Sequence, residues 1–328
     1  MRKRCGRFPI KLAGLTIVLA TLAIAAPAAA QQQMVDPDFH PVVDRPAYDA
    51  EGPRVVIDGA HHNFHTVDGQ YAPFAALLRA DGYRVRGGTA AFDAGGLDEV
   101  DVLVIANAGA VHEPTGPIFS DAEIAAVESW VRGGGRLLLI ADHAPFGAAA
   151  EPLAAAFGVR MGKGYAFALT NGNGTLTTNL TYPAEAFEDH PILVGRGPAE
   201  RVESVTAFTG QSLEGPAGAT ILLPMTDGAR EAPDLPTLQA LAERLDDAGA
   251  PDAAIAELFR PALPAQALAL SHGAGRVVVL GEAGMLSAQL VRFPPESAQP
   301  DRRFGMNVAP GNARFGLNVI HWLDGLLP

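Results

Sequence analysis

Four apolar runs in this chain stop abruptly at residues able to do chemistry. Val55-Val56-Ile57 gives way to Asp58 and then to His61, His62, Asn63 and His65. Asp101 to Ala106 ends in Asn107, Arg136 to Ala141 ends in Asp142-His143, and Val277 to Leu280 is followed, after one glycine, by Glu282. Two imidazoles and a carboxylate, here His61, His65 and Asp142, can hold a divalent metal with one position left for water. Without metal, Asp142, His143 and Glu282 form a catalytic set able to act as general acid, general base or nucleophile. Asp58, His61, His62, Asn63 and Asn107 form a candidate ligand-binding set. The same residues can instead serve the backbone, with Asp58 capping amides, the histidines bonding adjoining loops and Asp142 shaping an elbow. In that reading Glu282 is the first-turn acid of a helix over Ala283 to Leu290, and Asn107 closes a turn. Residue types alone leave these uses open.

The elements that must position these groups are readable around them. A short apolar run that empties into glycine and polar residues is a buried parallel strand. Its carboxyl end is where ligands bind in open α/β sheets. Strands are expected at 54–58, 84–86, 102–107 and 136–141. Between the first two, Tyr71, Phe74, Leu77 and Leu78 recur at helical spacing, with Pro73 in the first turn and Gly82 at the end. Ser120 and Glu123 form a capping box for a helix with the stripe Ile124, Val127 and Val131, stopped by Gly133-Gly134-Gly135. Strands alternating with helices predict an α/β fold, a mainly parallel sheet doubly wound by helices.

Past Gly158 the pattern weakens, and about 162–263 reads as an insertion. It holds a turn-rich loop from Thr170 to Thr175, a short strand at Ile221 to Leu223, a helix on Leu238, Leu241 and Leu245, and another around Ile255, Leu258 and Phe259. Gln266 to Leu270 and Arg276 to Leu280 form a hairpin returning to the main sheet. The chain closes with a helix on Phe315, Val319, Trp322, Leu323 and Leu326, which turns His321 toward solvent. His190, before a proline, marks a helix or turn start. His112 and His272 sit in a loop and a turn without an evident partner, while Asn307 and Asn312 approach the sheet edge. Gly87-Gly88 and the later glycine triplet lack nucleotide-binding spacing.

The first thirty residues carry a basic start (Arg2, Lys3, Arg4, Arg7, Lys11), an apolar stretch from Leu12 to Ala26 and Ala28-Ala29-Ala30. That is the order of a signal peptide, 1–30, cleaved before Gln31, which predicts a periplasmic or secreted protein. Its loss takes away Cys5, leaving no disulfide, no thiolate ligand and no cysteine nucleophile. It also lowers the basic residues from 24 to 19 against 36 acidic ones, a formal charge of −17. Such a surface repels nucleic acid, and no later segment is apolar for long enough to span a membrane. Residues 31–53, rich in proline and aspartate, read as an extended start, with the ordered fold beginning at Arg54 as one domain over 54–328. No protein partner is legible.

Taken together, Ile57 to Asn63, Ile140 to Gly147, Asp189-His190-Pro191-Ile192 and Val279 to Ala283 resemble the class I glutamine amidotransferase-like superfamily. The resemblance is to a mostly secreted bacterial branch related to gliding-motility and intraflagellar-transport domains. It implies a flavodoxin-like fold from Arg54 onward and a non-catalytic role in binding a small molecule or saccharide. The departure is at the turn after the fourth strand, where amidotransferases carry a cysteine nucleophile and this chain carries Asp142-His143. Glutaminase activity is therefore not expected, and a metal-assisted or acid/base hydrolase is the alternative.

Overall fold

The computed structural model describes residues 32–49, 51–110, 118–170, 175–226, 228–248, 259–294, 297 and 299–328. In chain order the elements are β1 (Gln32–Val35), β2 (Arg54–Asp58), α1 (Ala72–Ala80), β3 (Arg84–Gly88), β4 (Val102–Ala106), α2 (Asp121–Arg132), β5 (Arg136–Ile140) and α3 (Phe146–Ala156). There follow β6 (Arg160–Met161), β7 (Tyr165–Thr170), β8 (Thr175–Thr177), β9 (Asn179–Pro183), α4 (Pro191–Val194), β10 (Ser204–Phe208), β11 (Leu213–Glu214), β12 (Thr220–Pro224) and β13 (Arg230–Ala232). The remainder is α5 (Leu235–Ala248), β14 (Arg260–Pro261), β15 (Ala265–His272), β16 (Gly275–Leu280), β17 (Ala288–Arg292), β18 (Arg302–Gly305) and α6 (Pro310–Asp324).

The main sheet runs β3-β2-β4-β5-β16-β15-β11-β6, with β12 also on β15. The first five strands are parallel neighbours, and β15, β11, β12 and β6 add antiparallel pairs. The central strands are apolar at successive positions because both faces are covered. Val55, Ile57, Val104 and Leu138 pack under Phe74 and Leu77 of α1 and Phe315 and Val319 of α6. Val56, Leu103, Ile105 and Leu139 pack under Val127 and Val131 of α2 and Leu153 of α3. Parallel strands put all their carboxyl ends on one edge, so Asp58, Asn107, Asp142 and Glu282 are delivered to the same side.

Several expectations need correction. The ordered chain starts before Arg54: β1 pairs antiparallel with β17, and Asp36 binds Arg303 at 2.7 Å and Asn307 at 2.8 Å. No helix spans Ala283 to Leu290; a short 3-10 turn at Gly284–Leu286 leads into β17, which pairs with both β1 and β18. His321 is buried rather than exposed, its Nε2 2.6 Å from Asp81 Oδ2, because α6 is covered on nearly every side. The segment 162–263 is not one separate insertion, since β11 and β12 join the main sheet through β15. Of its other strands, β14-β13-β7-β8 form a small sheet closed by Leu238 and Leu241 of α5, and β9 pairs antiparallel with β10. Residues 1–30, Cys5 among them, and His112, Asn171 to Gly174, Ile255 and Leu258 lie outside the described residues.

One buried clamp fixes the loop after β2. His61 places Nδ1 2.8 Å from Asp58 Oδ2 and Nε2 2.7 Å from Glu123 Oε1, between the rings of Phe92 and Phe119. Glu123 also completes the capping box with Ser120 at the start of α2. The clamp therefore ties the end of β2 to the helix that follows β4. Burial lowers the His61 pKa, but the bonds and charges of Asp58 and Glu123 outweigh it and the net shift is upward. Burial raises Glu123, yet its bonds to His61 and Ser120 bring it down to about 2.

The signs define a pH window. The His61 contribution is complete below its unfolded value, about 6.5, and is lost as pH rises through the raised folded pKa. The Glu123 contribution is complete above the ordinary 4.5 and is lost as pH falls toward about 2. His61→Gln is expected to cost about 3 kcal/mol near pH 6 and distinctly less at pH 9, as read from urea unfolding at each pH. An equal cost at both would mean that His61 carries no charge in the fold.

Candidate functional site at the carboxyl edge of the sheet

Asn107 stitches the strand ends together. Its N–H donates to Ile140 O at 3.0 Å, its Oδ1 accepts from Asp142 N at 2.9 Å, and its C=O accepts from Phe64 N at 2.9 Å. The loop after β2 and the turn after β5 are thereby joined through one residue. On the other flank, Gln211 Nε2 donates to Ala141 O at 2.8 Å and Asp142 O at 3.0 Å. Asp142 is held on both sides by its backbone while its side chain stays less committed.

Asp142 Oδ1 accepts from His143 N at 2.8 Å. The His143 ring donates from Nδ1 to Ala144 O at 2.8 Å and stacks on Tyr165 at 4.3 Å and 15°. Its Nε2 lies 3.9 Å from Asp142 Oδ1, too far for a hydrogen bond. Asp142 Oδ2 and His143 Nε2 have no hydrogen-bond partner among the described residues, and the Asp142 side chain keeps 12% of its exposure. The Tyr165 hydroxyl donates to Ala144 O at 3.2 Å, so the ring is anchored at the same carbonyl as His143.

Glu282 is fully buried and its oxygens are engaged. They accept from Gly284 N at 2.5 Å and Met285 N at 2.7 Å, organising the turn after β16. Burial and then the charge of Asp142 push its pKa well above the carboxylate range, against the pull of these N–H groups. Tyr71 is raised by burial and by the charges of Glu282 and Asp142. Asp142, Glu282 and Tyr71 thus share one poorly solvated region, with Asp142 as its open member.

The metal set expected from His61, His65 and Asp142 does not fit. Both nitrogens of His61 are taken by carboxylates, leaving no lone pair for an ion. Among the described residues no three His, Cys, Asp or Glu side chains gather as a metal-binding group. His65 is different: it is buried, both ring nitrogens lack partners, and burial alone brings its pKa down to about 3. His62 is exposed at φ +50, and Asn63 is spent on His61 N and Ala106 O. Of the remaining polar residues, His190 caps α4, His272 meets Glu128 at 2.6 Å, and Asn312 bonds Thr206 and Met285. None of these belongs to the edge around Asp142.

Aromatic rings surround that edge. His143 contacts Phe146 at 6.4 Å, Phe146 contacts Phe64 at 6.4 Å, Phe64 contacts His65 at 5.2 Å and His65 contacts Tyr71 at 4.6 Å. With Tyr165 on His143, they form an arc from Tyr165 to Tyr71, whose hydroxyl reaches Ala283 O next to Glu282. Helical spacing assigns Tyr71 to a core stripe, and no local pattern in the sequence marks Tyr165 or Gln211 as neighbours of Asp142 and His143. Thr209 is buried at φ +117 with an unpartnered hydroxyl. It sits between Phe208, whose N–H reaches Glu282, and Gly210, whose C=O holds Ala166 N. A β-branched residue there is strained, and strain of this kind clusters at functional sites.

No family model matches the chain, and no curated protein matches it in sequence. Solved structures do. The mmIFT52 N-terminal domain aligns at TM-score 0.52 and 13% identity, over 82% of this chain and 96% of that domain. A ThuA-like protein from Bacteroides uniformis aligns at TM-score 0.39 and 12% identity, over 86% and 94% of the two chains. A GMP synthase component from Thermoplasma acidophilum aligns at TM-score 0.36 and 10% identity, over 82% and 95%. The first of these likenesses concerns the fold, a mixed α/β architecture with a large parallel-rich sheet.

Replacing Thr209 by glycine tests whether the edge stores strain. The change removes a disfavoured backbone geometry and an unsatisfied hydroxyl, against the loss of one buried methyl and added freedom in the unfolded chain. Thr209→Gly is expected to raise the unfolding free energy by about 1 kcal/mol, measured by urea denaturation. A loss of similar size would mean that the threonine packs without strain.

Proposed function

We propose that this chain is a ligand-binding module on an amidotransferase-like, doubly wound flavodoxin-like frame, and that it takes a saccharide over Asp142 at the carboxyl edge. The observation that carries the reading is a carboxylate with one uncommitted oxygen beside His143, whose ring joins Tyr165, Phe146 and the half-buried Phe64 in one chain of aromatic contacts. Sugars present apolar C–H faces that stack on rings and hydroxyls that donate to carboxylates. Ligand sites combine an apolar and aromatic lining with a few placed polar groups in this way. His143 Nε2, when unprotonated, supplies a second acceptor, and Phe64 is the partly exposed ring of the arc. The strand order β3-β2-β4-β5-β16, with helices on both faces, supports the flavodoxin-like reading. The basic and apolar leader supports a periplasmic or secreted location.

Hydrolysis is the second reading, favoured by one observation. Donation from His143 Nδ1 to Ala144 O leaves Nε2 as the nitrogen able to take a proton from water. Against it, Asp142 does not orient the ring as the acid of a triad does, and Glu282 has its oxygens bonded to the backbone.

Calorimetric titration of the purified protein with neutral β-linked oligosaccharides tests the proposal. Binding is expected, weakened about tenfold by Asp142→Asn through loss of a charge-assisted hydrogen bond and by Phe64→Ala through loss of a ring face. Asp142→Asn should leave unfolding stability within roughly 1 kcal/mol, because the retained Oδ1 still accepts from His143 N. Absence of binding, or binding indifferent to both changes, overturns it. Turnover of chromogenic glycosides or esters that is lost in His143→Ala would instead establish the hydrolase.

A further inference from the structure

Resting on the saccharide reading, we infer that the ligand carries a positive charge: the seat at Asp142 is built for an amino sugar with a free ammonium group. Three independent features lead there. The uncommitted groups are acceptors, Asp142 Oδ2 and His143 Nε2, and among the described residues no Lys or Arg forms an ion pair with Asp142 or Glu282. An anionic or acceptor-rich ligand therefore finds no matching charge, whereas an ammonium finds a carboxylate. Phe64, the half-buried ring of the arc, adds attraction, since a cation near a ring face is stabilised by its electron density and gains most when desolvated. Finally, His65 stands in that arc, nine-tenths buried or more, with neither ring nitrogen satisfied.

The charge environment around Asp142 points the same way. The groups facing the Asp142–Glu282 pair are His143, whose Nε2 lies 3.9 Å from Asp142 Oδ1, Tyr71 just before α1, Tyr165 from β7, Tyr182 from β9 and the N–H groups of Phe208, Gly284 and Met285. No Lys or Arg is among them. Asp142 consequently acts on its neighbours without a counter-charge: it opposes ionisation of Glu282 and helps push Tyr165 up to about 12. A bound ammonium would give the Asp142 carboxylate a counter-charge, which a neutral sugar hydroxyl bonding the same oxygen would not supply.

The experiment compares three tetramers on the purified protein at about pH 7, above the ordinary histidine range and below that of an amine: β-linked glucosamine, β-linked N-acetylglucosamine and cellotetraose. The glucosamine tetramer is expected to bind at least about tenfold more tightly than the other two. That preference should vanish in Asp142→Asn. General attraction of a polycation to an acidic protein is separated by the same variant, because removing one charge from a net −12 barely changes it. In the wild type, raising salt from about 0.05 to 0.5 M should weaken the glucosamine tetramer and leave cellotetraose unchanged, a readout that does not depend on the variant folding. Equal affinity for all three tetramers, or a preference that survives Asp142→Asn, overturns the inference and leaves the saccharide reading standing. Binding of none overturns both.

Discussion

The carboxyl edge of this sheet is governed by one constraint: every polar group buried there must find a partner or carry a penalty. Parallel strands end side by side, and here four of them end in or next to Asp58, Asn107, Asp142 and Glu282. Asp58 is met by His61 and by the N–H of Ala60. Asn107 is met by three backbone groups, and Glu282 by the N–H groups of the turn it starts. Each match fixes a loop, so the loops over this edge are placed by electrostatic need more than by apolar packing. Asp142 is the member whose needs are met on one oxygen only.

A buried carboxylate needs a cation or hydrogen-bond donors beside it to stay ionised. The protein resolves this unevenly. Asp58 and Glu123 share the imidazole of His61, and the upward shift of His61 is the measure of that sharing. Glu282 has no cation and is driven toward holding its proton, by burial first and by Asp142 second. What remains is a single carboxylate near the surface whose field is felt by two tyrosines and a glutamic acid. The arrangement concentrates the chemistry of the edge on Asp142 and keeps the others structural.

Much of this is legible in the sequence because continuous apolar runs leave few options. Val102 to Ala106 and Arg136 to Ile140 are buried throughout or nearly so, and their alternation with capped helices reads them as neighbouring parallel strands. The Ser120 and Glu123 capping box is also readable, because its partners are three residues apart. The second bond of Glu123, to His61, is not: the two residues are 62 positions apart and no local pattern links them. β17 reads as a helix for a related reason, since its partners β1 and β18 lie elsewhere in the chain. Helical spacing turns His321 outward because it shows one stripe, whereas α6 meets α1, α4 and Asp81 from different sides. Contacts at long sequence separation decide these cases.

The division between frame and site follows the same line. The parallel strands and their helices supply Asn107, Asp142, His143 and Glu282, but they do not finish the site. Tyr165 comes from β7 in the small sheet, and Gln211 and Thr209 come from the crossing after β10. Gly147 lies so close to the Gln211 side chain that any Cβ there would collide with it, which fixes the start of α3 against the crossing. The segment that sequence periodicity reads least well is therefore the one that supplies Tyr165 against His143 and Gln211 against the Asp142 backbone. The likeness to the mmIFT52 N-terminal domain, over 82% of this chain, carries the architecture alone, and the binding proposal rests on Asp142, His143 and the rings beside them.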